Sequence, residues 1–189
     1  MPPFLVLTPS LRRLSDGSFF RTAFPVFLRG CAVLGLVAAL YGSYLLWKGP
    51  SGGEGFNFFL ALLLAQLLIL ALGLTALNVF WVRAADCDDL PEAGGSVTPA
   101  VAVSIRAFGE VAAAAQVLGG LAIAVMGWLG QPYVAARIFG PVWMAPGSSG
   151  VVAILSGWAY GFVLLAGSYF VAELATALWA TERNTRKKS

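Results

Sequence analysis

Apolar residues run along this chain in stretches far longer than a soluble helix needs, and the polar residues are gathered between them. Four such stretches cover about 24–47, 56–82, 99–129 and 151–180. Each exceeds the ~20 residues that carry a helix across a ~30 Å hydrocarbon layer. None alternates apolar and polar positions as a barrel strand would. A spanning helix also satisfies its own backbone polar groups, which an open strand in lipid does not. The pattern predicts an all-α, polytopic membrane protein built as a four-transmembrane-helix bundle.

The connections between the stretches carry the turn chemistry expected of loops. Residues 48–55 read Lys-Gly-Pro-Ser-Gly-Gly-Glu-Gly, and residues 83–98 are acidic, with Asp86, Asp88, Asp89, Glu92, Pro91 and the pair Gly94-Gly95. Residues 130–150 hold Pro132, Pro141, Pro146 and a Gly-Ser-Ser-Gly run. Both composition and breaker residues mark these as turns. Tyr133, Arg137, Phe139 and Trp143 in the last connection suit the membrane surface, where a short interfacial helix would fit. Residues 1–21 read as a cytoplasmic lead-in with one amphipathic turn around Leu11–Leu14. They do not read as a signal peptide, because the apolar run Phe4-Leu5-Val6-Leu7 is short and precedes the arginines. The division is therefore a lead-in (1–21), a transmembrane domain (22–182) and a basic tail (183–189).

Composition sharpens this reading. Hydrophobic residues make up 59 % of the 189 and charged residues 11 %, too few charges for a soluble enzyme or a disordered chain. There is no histidine, so Ser-His-Asp catalysis and His-ligated haem or zinc are excluded. Two cysteines, Cys31 in an apolar stretch and Cys87 in the acidic connection, stand in dissimilar settings and suggest neither a disulfide nor a metal site. The net charge of +3 is too small to suggest nucleic-acid binding. Placement of the basic residues is more telling. With a cytoplasmic N-terminus, ten of the twelve Lys and Arg fall on the cytoplasmic side, leaving Lys48 and Arg137 opposite. The positive-inside rule then predicts both ends in the cytoplasm, with Arg183, Arg186, Lys187 and Lys188 as topology signal and lipid-phosphate anchor. Trp47 and Trp128 would mark outer helix ends, Trp81 and Trp179 inner ones.

Charges inside the apolar stretches are the candidate functional residues, since burial penalises an unpaired charge. They are Arg29, Arg106, Glu110 and Glu173. Arg106 and Glu110 are four apart and share a helix face. At ~1.5 Å per residue, Glu110 and Glu173 would lie roughly 15–18 Å from the cytoplasmic helix ends. The four could form a closed intramembrane network or line a path for a proton or anion. The charge-free cores 30–47, 56–82, 111–130 and 151–170 are each near span length themselves. A cytoplasmic collar with arginines reaching lipid phosphates is therefore the favoured placement. Gln66 and Asn78 in the second span are expected to bond between helices.

The third span is rich in small residues, including Gly109, Gly119 and Gly120, and the fourth holds Gly157 and Gly161 as a GxxxG. Such residues let helix backbones approach. Packing within the bundle is favoured over a dimer interface. The Leu-rich run 60–72 is expected to face lipid or a partner. Parallel duplication of two hairpins would place Arg29 opposite Arg106, and Thr75-Ala76-Leu77 opposite Thr176-Ala177-Leu178.

No catalytic set, P-loop or dinucleotide fingerprint is present in the sequence. The carboxylates around Cys87 lack the spacing of a calcium loop. Arg106-Ala107-Phe108-Gly109-Glu110, and Glu173 followed by Glu182-Arg183-Asn184-Thr185-Arg186, resemble small bacterial multi-spanning membrane proteins of unknown function. Arg183 departs from that pattern's Glu-Asn-x-Arg tail. The resemblance implies a helical bundle in a bacterial inner membrane and no particular activity. The expected function is a non-catalytic accessory or scaffold subunit without cofactor. Its partners would be lipids and other membrane subunits or further copies of itself. A small oligomeric transporter or channel using the Arg and Glu residues is the alternative.

Overall fold

The computed structural model describes residues 18–48, 55–90, 97–139 and 150–186. Four helices are long and apolar enough to cross a membrane, and the chain is an integral membrane protein. They are α1 (Ser18–Lys48), α2 (Phe56–Asp88), α3 (Thr98–Trp128) and α5 (Gly150–Arg186). A short helix, α4 (Pro132–Phe139), lies between α3 and α5 where the surface helix was expected. The predicted amphipathic turn around Leu11–Leu14, and Trp143, lie outside the described residues.

The helices overrun the apolar stretches. Residues 18–21, assigned to the lead-in, already belong to α1, and α5 runs on to Arg186. The acidic connection begins later than expected, because α2 continues through Asp88. Alanine, arginine and aspartate after Val82 do not interrupt a helix. The overrun places Arg83, Asp86 and Asp88 on a rigid element.

At its far end α3 stops on a defined motif. Gly130 adopts φ +72°, the Gln131 amide bonds the Met126 carbonyl (2.8 Å), and the Gly130 amide bonds that of Gly127 (3.0 Å). These are the two bonds of a Schellman motif, which needs a left-handed residue that glycine supplies without strain. Pro132 then opens α4, whose Val134 and Ala135 are buried in the core.

The bundle is two antiparallel pairs joined through the middle. α1 lies along α2, α3 lies along α5, and α2 packs on α3, while among the described residues the backbone of α5 approaches only α3. Hydrophobic driving force is weak between helices already in lipid, so close van der Waals contact has to hold them. The sequence provides it with small residues. The buried face of α2 is Ala61, Ala65, Ile69, Gly73, Ala76, Phe80, Ala84 and Cys87, spaced three or four apart. A Cβ on Gly73 would overlap that of Ala39, and one on Gly35 would come within 3.2 Å of the Ala76 Cβ. Leu63 and Leu67 point outward as expected, but the run 60–72 is not wholly external, since Leu62 and Ile69 are buried.

α3 and α5 meet through glycines on both sides. A Cβ on Gly157 would lie 2.7 Å from the Gln116 carbonyl oxygen and 3.0 Å from the Gly120 Cα, and one on Gly161 would lie 3.0 Å from the Ala113 carbonyl oxygen. Gly109 faces Ser168 with no room for a methyl group. Gly119 is buried beside them in sequence. The small-residue surface is thus used within the chain.

Two core clusters fill the ends of the α1–α2–α3 contact. Leu46, Ala65, Met126 and Val134 belong to the one at the α4 end. Leu28, Phe80, Cys87 and Ala107 belong to the one at the end where α1 begins, and Cys31 packs against it. The cysteines therefore share one apolar cluster as free thiols, correcting the separate settings read from sequence, because α2 carries Cys87 into the core. The two positions matched by the repeat differ in burial: Ala76 is buried against α1, whereas Ala177 is exposed on α5.

Candidate functional site

Three helices converge on the Glu110 carboxylate. Glu110 lies on α3, two residues and just over half a turn beyond Phe108, which packs edge-on against Phe80 of α2. Arg83, near the end of α2, donates from Nε to Glu110 Oε2 at 3.1 Å and from a terminal nitrogen to Oε1. This two-point fit of a planar guanidinium to a carboxylate is the strongest geometry an arginine offers. Tyr169 of α5 donates its hydroxyl to Glu110 Oε1 and accepts from Arg83 at 2.9 Å. A second arm of Arg83 bonds Asp86, one turn along α2, at 2.7 Å. The side chains of Arg83 and Glu110 are 24 % and 18 % exposed, so the pair is largely sheltered. Arg106, one turn before Glu110 on α3, lays its guanidinium over the Tyr169 ring at 5.3 Å, and its buried Nε has no hydrogen-bond partner.

The four charges singled out from sequence do not meet as one network. Glu110 and Arg106 share this cluster, joined on Tyr169. Arg29 stands apart on α1, bonded to Asp88 at 2.5 Å and stacked on Trp81 at 5.9 Å, with 43 % of its side chain exposed. Glu173 is exposed on α5, and among the described residues it enters no ion pair. Glu173 is on the same side of α5 as Tyr169 but about one turn farther along, past the level at which Tyr169 meets Glu110 and Arg83. The basic tail residues Arg183, Arg186, Lys187 and Lys188 have side chains outside the described set, as does Arg137.

Sequence reasoning counted Arg83 only as an orientation signal and passed over Tyr169. Taking α2 to end at Val82 removed Arg83 from the span. No local spacing announces the contact, because its partners lie 27 and 59 residues from Glu110.

At the far end Gln66 behaves as expected and Asn78 does not. Gln66 donates to Ser43 Oγ at 2.8 Å and accepts from Trp47 Nε1 at 3.0 Å, tying α2 to α1. Asn78 is exposed and donates to the Leu74 carbonyl of its own helix at 2.9 Å. Between the two ends an apolar cleft of about 670 Å³ opens among α1, α2 and α3, lined by such residues as Gly35, Ala38, Gly42, Leu72 and Ala115. Among the described residues no group of Cys, Asp and Glu is arranged to hold a metal ion. Comparison with family models, with curated proteins and with solved structures returned no match to this chain.

Proposed function

We propose that this chain is a non-catalytic accessory or scaffold subunit of a larger membrane protein complex. The observation that carries the reading is the one-sided packing of α5. Among the described residues the backbone of this helix packs on α3 alone, and large exposed side chains stand around it, among them Trp158, Tyr160, Phe162, Val163 and Phe170. A helix of 37 residues held along one side is built to be covered by something else. The alternative of transport through Glu110 is disfavoured, because both carboxylate oxygens accept hydrogen bonds from Arg83 and Tyr169. A carboxylate so bonded serves to tie helices rather than to pass a proton or ion.

The same reading places the helix ends bearing Arg29, Arg83 and Arg106 in the cytoplasm, in keeping with the positive-inside rule. A bacterial inner membrane follows from the resemblance of the third and fourth spans.

Purification of the tagged chain from its native membranes in mild detergent tests the proposal. A partner recovered in fixed stoichiometry is the expected result. A monodisperse monomer that retains no other protein would sink it.

A further inference from the structure

We infer that the cleft among α1, α2 and α3 holds one phospholipid, its tail lying between α1 and α3 and its phosphate on Lys48. The cleft is bounded by helices other than α5, so the site stands whether or not a partner covers that helix.

Small residues hollow the space out. Gly35, Ala38 and Gly42 of α1, Leu72 and Gly73 of α2 and Ala115 of α3 line it, and among the described residues no polar side chain does. α1 and α3 close on each other at one end, where the Phe27 and Phe108 rings meet with centroids 6.2 Å apart. From there the cleft runs toward Lys48. Ala38 and Leu45, seven residues apart on one side of α1, are exposed, so it opens sideways to the membrane.

Size selects the occupant. From Gly35 to Leu46 the cleft follows α1 for ~16 Å at about 1.5 Å per residue. Its volume of about 670 Å³ over that length gives a mean cross-section of roughly 40 Å². An α-helix with its side chains is about 10–12 Å across, or roughly 80–110 Å² in section, so a partner's helix does not enter. An extended hydrocarbon chain does. The length of ~16 Å also matches half of the ~30 Å hydrocarbon layer, the depth that one leaflet's tails occupy. Water is no substitute, because an apolar hollow stays dry. Left empty, the hollow would forfeit the van der Waals contacts of its lining.

Lys48 decides the head group. It ends α1, Trp47 precedes it, and the sequence Gly-Pro-Ser-Gly-Gly-Glu-Gly follows, so the membrane surface falls at this end of the cleft. Lys48 is three residues past Leu45 and stands on the cleft's open side, one turn nearer that surface. Its ammonium lies 5.4 Å from the centroid of the Tyr44 ring, and among the described residues it enters no ion pair. A lysine so placed reaches a lipid phosphate while its stem stays in the apolar layer. A tail without a phosphate, such as a prenyl chain on a neutral ring, leaves that cation unused.

The test is native mass spectrometry of the purified chain, reconstituted into vesicles of equal parts phosphatidylcholine and phosphatidylglycerol and then extracted in mild detergent. One retained phospholipid per chain is expected. Ala38→Leu fills the cleft from α1 and should cut the retained fraction by about tenfold. Ala115→Leu fills it from α3 and gives the same reading if the first variant fails to accumulate. Lys48→Gln should cut the fraction by about fivefold. Ala166→Leu, the same change on the exposed surface of α5, should leave it unchanged. A chain that retains no phospholipid would overturn the inference. Retention undiminished in both cleft variants or in Lys48→Gln would do the same, as would an equal loss in Ala166→Leu.

Discussion

Tyr169 on α5 donates its hydroxyl to Glu110 on α3, across 59 residues of sequence, and the acceptor is the oxygen that Arg83 of α2 also reaches. The contact matters because the backbone of α5 approaches α3 alone among the described residues. Through this phenol α5 itself acquires a polar link to α2, beside the Arg83–Glu110 pair that already ties α2 to α3. Tyr169→Phe removes the hydroxyl and keeps the ring under Arg106. Interhelical hydrogen bonds in membranes average about 0.6 kcal/mol and reach about 1.7, and one from a neutral phenol to a charged carboxylate belongs in the upper part of that range. The variant should lose about 1–2 kcal/mol in detergent unfolding. Hydrogen exchange should quicken along α5 while the α1–α2 pair is unchanged. Unaltered exchange in α5 would show that the phenol does not hold it.

The Arg83–Glu110 pair should show its coupling in a double-mutant cycle. Each single neutralisation, Arg83→Gln or Glu110→Gln, leaves a sheltered charge with a weaker partner. The double variant leaves two amides that bond each other. For residues in direct contact, interaction energies of about 0.5–3 kcal/mol are usual. Thermal or denaturant unfolding of the four proteins should therefore be non-additive, with the double variant more stable than the sum of the singles predicts. Strict additivity would mean that the pair contributes nothing as a pair.

Glycine substitutions should separate two classes by their surroundings. A Cβ on Gly120 would run into the Ala153 carbonyl of α5 and come within 3.0 Å of the Gly157 Cα. These obstacles are backbone, so the helices must part. Overpacking of this kind costs about 1–3 kcal/mol. On α1, a Cβ at Gly30 meets nothing within 4 Å. Alanine there gains helix propensity of up to about 1 kcal/mol over glycine. Gly120→Ala should lower the unfolding midpoint and Gly30→Ala should hold or raise it. Equal effects would contradict the α3–α5 contact.

The architecture was legible from sequence because lipid imposes a length and an apolar composition on each helix. Runs of uninterrupted leucine and alanine therefore named the four spans. The small-residue contact between α3 and α5 was legible too, since Gly157 and Gly161 announce themselves at helical spacing. The matching stripe on α2 was hidden. Ala61, Ala65, Gly73 and Ala76 are interleaved with leucines, so the segment read as Leu-rich rather than as a face of small residues. The charged cluster was half legible. Arg106 and Glu110 share a helix, and their spacing shows it. Arg83 and Tyr169 join them only after three helices have chosen their rotations, which no local pattern records. Glu173 was grouped with them by depth, but it stands a full turn beyond Tyr169 on α5 and is exposed there.

Two arginine–carboxylate pairs stand at the same end of the bundle and should differ in salt response. Arg29 and Asp88 are 43 % and 48 % exposed, against 24 % and 18 % for Arg83 and Glu110. Exposed pairs contribute about 0–1 kcal/mol and are screened by salt. The sheltered pair has less water and fewer mobile ions around it, and Tyr169 of a third helix holds it in place. Asp88→Asn should therefore lower stability by less than about 1 kcal/mol, and the loss should shrink as ionic strength rises. The packing of Arg29 on Trp81 persists in that variant and limits the damage further. Glu110→Gln should lower stability by more, and by nearly the same amount at low and high salt. Unfolding of both variants in detergent, followed across a salt series, would read the contrast. A salt-sensitive Glu110→Gln loss would place that carboxylate in open water and remove the basis for treating the cluster as the internal tie of the bundle.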